Sequence, residues 1–284
     1  MEVVTTIEEM SKISEELKKK NKTVGFVPTM GALHMGHINL CIRSKQTADI
    51  TIMSVFVNPT QFAPHEDFNK YPRDIKKDIE LAKKYNVDYI FAPTVEEMYP
   101  DGFSTNIFIS GVADLFEGAK RPGHFNGVAL VVAKLFNIVN PDYSFFGQKD
   151  YQQVVVIKKM VSELNFRTKI VLEPIARLES GLAMSSRNVY LTETEKINAS
   201  NIYKVMLETK RLIEDGLRTR KTINETLVNK LSEISDLKID YAVAALSKDL
   251  SEPEIFENKD EIIILMAAYV GKTRLIDNML IQLN

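Results

Sequence analysis

Two of the chain's four histidines stand three residues apart in "VPTMGALHMGH", Val27 to His37, where an apolar run gives way to a helical pattern. At positions i and i+3 of an opening helix, His34 and His37 face one side. They would flank the helix N-terminus, whose N–H groups lack partners and carry a partial positive charge, while Gly31 and Gly36 let backbone or phosphate approach closely. That combination suits a polyphosphate. Two other readings stay open. The pair could be structural histidines in a glycine-rich turn, or half of a metal site, for which no HExxH pattern or cysteine cluster supplies further ligands.

A second polar cluster, "FFGQKDYQQ", also follows an apolar run and opens a helical pattern. Gly147 permits a tight turn, Lys149 offers a mobile charge, and Asp150 with Gln153 could grip hydroxyls or amides. Against this, Asp150 and Gln153 have the spacing of a helix-capping pair, with Lys149 merely solvated. A third cluster, "MSSRN" at Met184 to Asn188, supplies two hydroxyls and a guanidinium for wrapping phosphates, or else an ordinary polar linker. Together the three clusters provide many donors and little covalent chemistry, which is what nucleotidyl transfer at an α-phosphate needs. No carboxylate pair or nucleophilic triad competes.

The elements that must position these groups read as alternating strands and helices. Thr6 and Glu9 should cap a first helix to about Lys20, and "NKTVGFVPT" is an apolar strand ending at the histidine motif. "INLCIRSKQTA", "DIKKDIELAKKYN", "GVALVVAKLFNIVN" and "YQQVVVIKKMVSEL" have helical spacing; "DITIMSVFVN", "VDYIFAP", "YSFFG" and "KIVLEPIA" read as strands. The alternation predicts an α/β fold, a doubly wound, Rossmann-like parallel sheet of about five strands over residues 1–183. Such sheets bind ligands at the carboxyl ends of their strands. Over residues 184–284 the rhythm changes. Thr192 with Glu195 and Thr222 with Glu225 should cap two helices, and "KIDYAVAALS", "EIIILMAAYV" and "TRLIDNMLIQ" follow as antiparallel strands, giving a smaller α+β lid domain.

The 284 residues carry 45% hydrophobic and 26% charged residues with a formal net charge of -2, a balance that fits a globular protein and argues against a broad nucleic-acid or anionic-membrane surface. Small-molecule partners are expected, with no nucleic acid and no membrane. The single cysteine, Cys41, sits on an apolar helix face and cannot form an internal disulfide. With no signal-peptide pattern and no apolar run of membrane-spanning length, the expected compartment is the cytoplasm.

In order along the chain, "VPTMGALHMGH", "SVFVNPTQF", "YPRD", "RPGHFNGV", "FFGQKDYQQ" and "MSSRNVYL" resemble the pantoate-beta-alanine ligases, or pantothenate synthetases, of the HxGH nucleotidyltransferase superfamily. The last hundred residues resemble that family mainly in length and character. The resemblance implies a two-step ligation: (R)-pantoate attacks the α-phosphorus of ATP to give pantoyl adenylate and pyrophosphate, and beta-alanine then displaces AMP. Carried over by motif, Met30, Gly31, Ala32, Leu33, His34, Met35, Gly36 and His37 line the ATP site. His34 and His37 contact phosphates there, and His37 serves as proton donor. Gly147, Gln148, Lys149 and Asp150 receive ribose and phosphate, Ala176 offers backbone groups near adenine, and Met184, Ser185, Ser186 and Arg187 close on the phosphates. Gln61 and Gln153 hold pantoate, Gln61 also borders the beta-alanine position, and Asn58 assists by hydrogen bonding to substrate. Lys149 and Arg187 would neutralise charge on the leaving pyrophosphate.

Mg2+ is expected because ATP chemistry commonly uses a metal bridging phosphate oxygens. Asp78 is the candidate ligand, against the reading of an exposed acid on its helix. The segment "NPTQFAPHEDFNKYPRD" is expected as a mobile wall, with His65 and Arg73 at the surface. Glu117, Arg121 and His124 could order that wall, join an oligomer contact or form a salt-bridged loop, and receive no catalytic role. The resemblance also implies a homodimer.

Overall fold

The computed structural model describes residues 1–64 and 66–283; His65, expected at the surface, lies outside them. The chain divides into two compact units, one of Met1–Gly147 with Val156–Pro174 and one of Gln148–Val155 with Ile175–Asn284. The change of rhythm read at residue 184 thus comes after a stretch, 175–183, that groups with the second unit.

In chain order the first unit contains β1 (Glu2–Val4), α1 (Ile7–Lys19), β2 (Val24–Thr29), α2 (Met35–Thr47), β3 (Ile50–Val55), α3 (Ile75–Lys84) and β4 (Tyr89–Phe91). The short α4 (Val95–Met98) and α5 (Phe116–Lys120), then α6 (His124–Val139), β5 (Tyr143–Gly147) and β6 (Lys169–Glu173) complete it, while α7 (Tyr151–Glu163) runs through the boundary between the units. Among the described residues these strands form one six-stranded parallel sheet, ordered β1-β4-β3-β2-β5-β6. The sequence reading of about five strands omits β1. Three residues are too few to show a period, and β1 exists because Glu2, Val3 and Val4 pair with Tyr89, Ile90 and Phe91.

Local chemistry explains the helix ends. Thr6 Oγ1 accepts from the Glu9 N–H at 3.3 Å, and Glu8, Glu9 and Lys18, Lys19 complement the dipole of α1. α6 is apolar on nearly all sides and correspondingly buried along its length. Val27, Met53, Ile90 and Phe145 from four neighbouring strands pack with Leu40 and Cys41 of α2 and Ala82 of α3. Cys41 has no exposed surface, and burial pushes its thiol pKa up to about 12.

The winding of the sheet reverses between β2 and β5: β3 and β4 lie on one side of that pair, β6 on the other. The crevice outside the carboxyl ends of β2 and β5 is therefore the topological position for a ligand, and β2 ends directly before Met30.

In the second unit, α8 (Glu193–Glu214) and α9 (Arg220–Ser232) precede β7 (Leu237–Leu246), β8 (Glu261–Val270) and β9 (Thr273–Gln282), which pair antiparallel in that order. Thr192 and Glu195 form the expected reciprocal cap. The expected cap at Thr222 is corrected: α9 starts at Arg220 after Thr219, and the Thr222 carbonyl accepts from Thr226 Oγ1 inside the helix. Strand-like pairing of Thr219 with Ile255, together with Arg220 N–H to Glu254 O at 2.9 Å, fixes the start earlier than local sequence suggests. Among the described residues no helix is long and apolar enough to cross a membrane.

Candidate active site

The turn from β2 into α2 is built by a left-handed backbone and a distant carboxylate. Gly31 and Ala32 have φ of 79° and 51°. Ala32 N–H donates to Asp78 Oδ2 at 3.1 Å and Leu33 N–H to Oδ1 at 2.8 Å. A Cβ on Gly31 would lie 2.7 Å from Asp78 Oδ2, so both the conformation and the space require glycine. Asp78, in the first turn of α3, is only 4% exposed; burial raises its pKa against the opposing pull of the two N–H donors. This corrects the reading of Asp78 as an exposed acid. Each of its two oxygens accepts one N–H of the turn, which makes it a brace for the motif. Among the described residues no group of three His, Cys, Asp or Glu side chains is arranged to hold a metal.

The histidines cap their own helix. Gly36 N–H donates to His34 Nδ1 at 3.1 Å, and His34 N–H donates to His37 Nδ1 at 3.3 Å, with ring centroids 4.1 Å apart. This is the geometry of a capping box with imidazoles in place of hydroxyl and carboxylate. Because both Nδ1 atoms accept, the neutral rings carry their protons on Nε2. The first turn of α2 contains no acidic residue, so its positive end has no compensating carboxylate of its own.

Gln61 closes a short 3-10 turn, Pro59–Gln61, and its side-chain amide donates to Met30 Sδ at 3.3 Å, joining this turn to the histidine motif. Asn58 is 1% exposed and its amide is fully used: Nδ2 donates to Gln61 Oε1 (3.0 Å) and Gly127 O (3.2 Å), while Oδ1 accepts from Tyr99 Oη (2.8 Å) and Thr60 Oγ1 (3.0 Å). The expected contact of Asn58 with substrate thus falls on a side chain whose amide already holds Gln61 and the surrounding turn. Gly127 of α6 lets the turn approach, since a Cβ there would lie 2.2 Å from Thr60 O.

Beneath that turn lies the cluster left without a role by sequence. Arg121 grips Glu66 with two hydrogen bonds of 2.6 and 2.8 Å, meets Glu117 at 3.6 Å, and approaches His124 Nε2 with Nη1 at 3.1 Å. His124 Nδ1 lies 2.8 Å from the Gln61 carbonyl, which can only accept, so this nitrogen carries the proton. Burial first, then the Arg121 charge, push the His124 pKa down to about 4. Burial alone would raise the Glu66 pKa, but hydrogen bonds and charge from Arg121 bring it below its ordinary value. Within the segment expected as a mobile wall, the Phe62 ring packs edge-on against Phe68 and Tyr71. Arg73 stays exposed, its guanidinium over the Phe68 ring.

Gln148, Lys149, Asp150, Gln153, Ala176, Met184, Ser185, Ser186 and Arg187 belong to the second unit, whereas Met30 to His37, Asn58, Gln61, Asp78 and Gly147 belong to the first. Lys149 lies in a 3-10 turn, Gln148–Asp150, with Nζ 3.8 Å from Asp150 Oδ1. A Cβ on Gly147 would meet nothing within 4 Å, so protein packing does not demand that glycine. Gln153 is half-buried in the first turn of α7. The Met184 N–H donates to Ala176 O at 2.8 Å, and Ser185 Oγ accepts from the Arg187 N–H at 3.3 Å, capping a 3-10 turn over Ser186–Tyr190. Sequence reasoning missed the supports of both clusters. Tyr99, Gly127, Asp277 and Asn278 are far in sequence from what they hold, and only the "RPGHFNGV" phrase, which contains Gly127, gave a signal.

Residues 2–280 match the family model described as pantoate-beta-alanine ligase. Relatives named pantothenate synthetase include one from Caldicellulosiruptor bescii, 49% identical over 99% of both chains, and one from Caldicellulosiruptor saccharolyticus, 50% identical over 99% of this chain and all of the relative. Among solved structures, pantoate-beta-alanine ligase from Thermus thermophilus superposes with a TM-score of 0.92 at 39% identity, covering 98% of this chain and 99% of the other. The Francisella tularensis ligase, solved with beta-gamma ATP and beta-alanine, gives 0.80 at 37% identity, covering 99% of this chain and 97% of the other. With a match along nearly its whole length, the chain belongs to the pantoate-beta-alanine ligase family.

Proposed function

We propose that the family's ATP-dependent ligation of (R)-pantoate with beta-alanine is carried out here by the turn over Met30–His37, the Gln61 turn, the Lys149 turn with Gln153, and the Met184–Arg187 loop. The observation that carries the reading is the reciprocal capping of α2 by His34 and His37. It commits each Nδ1 to the backbone and each Nε2–H to donation, at a helix whose first turn contains no acidic residue and at the carboxyl end of β2. Such an end binds phosphate through backbone N–H groups and dipole together.

In the first step a pantoate carboxylate oxygen attacks the α-phosphorus, and the bond to the bridging oxygen breaks with its electron pair leaving on pyrophosphate. Pantoate is already ionised at neutral pH, so this step needs alignment and charge stabilisation rather than a base. His34 and His37 donate to phosphate oxygens, His37 serving as proton donor, while Lys149 and Arg187 neutralise the pyrophosphate. Gln61, held by Asn58 and Met30, presents a fixed amide for the hydroxy acid, with Gln153 as its second contact. In the second step the beta-alanine nitrogen attacks the acyl carbon, the acyl–oxygen bond to AMP breaks, and the amine loses a proton.

Each Asp78 oxygen accepts one backbone N–H, so its first task is to brace the turn, and each keeps a lone pair for a contact with Mg2+. Mg2+ would enter with ATP as part of the substrate. Near-neutral charge and a lone buried cysteine support a cytoplasmic enzyme without nucleic-acid partners, and a homodimer is the assembly proposed by resemblance. The test is an omission assay. ATP and pantoate together should support pyrophosphate exchange, with AMP accumulating steadily only when beta-alanine is added; exchange that ignores pantoate would overturn the reading.

A further inference from the structure

Two adjacent residues of β9 hold both candidate phosphate-binding segments of the second unit. Leu275, Met279 and Ile281 of this strand face the core shared with α8 and α9, which places Asp277 on that face and Asn278 on the other. Asp277 is 7% exposed and takes the Arg177 guanidinium in two hydrogen bonds, Nη1 to Oδ2 at 2.7 Å and Nη2 to Oδ1 at 2.8 Å. Arg177 also donates to Gly181 O, lies 4.0 Å from the Tyr203 ring centroid and bridges Ala183, so the hairpin leading into Met184–Arg187 is tied to Asp277. Asn278 is 2% exposed. Its Nδ2 donates to the carbonyls of Gln148 and Lys149, both at 2.8 Å, and its Oδ1 accepts from Gln148 Nε2 at 3.1 Å. The Asn278 N–H donates in turn to Asp277 Oδ1 at 2.8 Å, so the two anchors share a carboxylate.

A buried amide at that site satisfies two carbonyls that would otherwise be left unpaired. A buried ion pair on the strand's other face is weak evidence of stability in itself, and here its two hydrogen bonds fix Arg177 on β9. We propose that Asp277 and Asn278 are positioning residues for the adenylate-forming step, setting the Lys149 turn and the Met184–Arg187 loop relative to one another across one strand. The inference rests on the reading of those two segments as phosphate-binding. It predicts that disturbing β9 slows release of pyrophosphate more than the reaction of pantoyl adenylate, which keeps the ribose contact but carries no β- or γ-phosphate.

Asn278→Asp keeps the shape but turns both donors into acceptors facing carbonyls. Pantoate-dependent pyrophosphate exchange should fall about 100-fold, the scale of a misplacement near 1 Å. Amide formation from supplied pantoyl adenylate and beta-alanine should fall less, by about 10-fold at most, because the adenylate depends on the ribose contact but not on the pyrophosphate contacts. Asp277→Asn should slow the same half-reaction. Equal loss in both half-reactions would mean a merely structural role and overturn the proposal, as would unchanged exchange. If Asn278→Asp does not fold, Asn278→Ser, which adds no charge, decides by the same two rates. Lys149→Ala separates the layers: if it leaves exchange unchanged, the phosphate-binding reading itself fails, whereas a disabled Lys149→Ala beside a fully active Asn278→Asp sinks only the role of β9.

Discussion

The turns that follow β2 and β5 both lead from a parallel strand into a helix, yet they are held in different ways. After β2, His34 and His37 cap the helix with each other's neighbourhood, and the farthest support, Asp78, is 46 residues away. After β5, the backbone of Gln148 and Lys149 is held by Asn278, 129 to 130 residues on in the chain. A turn that supplies its own polar partners can present chemistry from a motif alone. One held by a remote strand can lose its function through a residue with no chemical role.

The largest break in this comparison should come from separating capping from donation at His34. Asparagine is among the best N-cap residues but has no group at the Nε2 position. His34→Asn should leave the melting temperature nearly unchanged while pyrophosphate exchange falls by about 100-fold or more, the loss typical of removing one preorganised donor. A parallel loss of stability and activity would show that the histidine acts only as a cap.

Acid should act on the other anchor of the first unit. The folded His124 ring has its pKa held at about 4, below the ordinary 6.5, so the fold favours the neutral ring. Its contribution is complete above about pH 6.5 and is lost as pH falls toward 4, an amount of about 3 kcal/mol at most. Glu66, whose pKa is lowered, contributes in the same direction, its share being lost on acidification. Urea midpoints at pH 7.5 and 4.5 should show this loss, and His124→Asn, which keeps a donor near the Gln61 carbonyl, should flatten the dependence.

Asp78→Asn sharpens the distinction between brace and metal ligand. Losing one of two acceptors for buried N–H groups should cost about 1–3 kcal/mol in thermal or urea unfolding and weaken ATP binding. Because the defect lies in the turn, raising Mg2+ should not restore activity; recovery with Mg2+ would return Asp78 to the metal. The smallest effect is expected from Gly127→Ala, where the new Cβ meets Thr60 O at 2.2 Å. Displacing the Gln61 turn should raise KM for pantoate about 10-fold with KM for ATP unchanged, in line with an overpacking cost of about 1–3 kcal/mol.

What could be read from sequence followed the same division. The parallel α/β unit, the antiparallel strands and the Thr192–Glu195 cap are written in local periods and pairs. β1 and the start of α9 were not, because each is fixed by a partner strand or segment rather than by its own residues. The histidine motif was legible because its chemistry is nearly self-contained. Asn58 entered the site through its motif, and only the spatial convergence of Tyr99, Gly127 and Gln61 shows what its amide holds. Asp78 was misread for the complementary reason: a carboxylate in a polar helix gives no local sign that a loop 45 residues earlier folds onto it.

Cys41 gives the molecule a built-in reporter. With no exposed surface and a thiol held far from its reactive thiolate form, it should resist alkylation by a soluble maleimide for as long as the sheet of the first unit stays closed. Labelling of the unmodified chain would then time the opening of that core. A cysteine introduced at an exposed position could carry a spectroscopic probe without background from the native thiol.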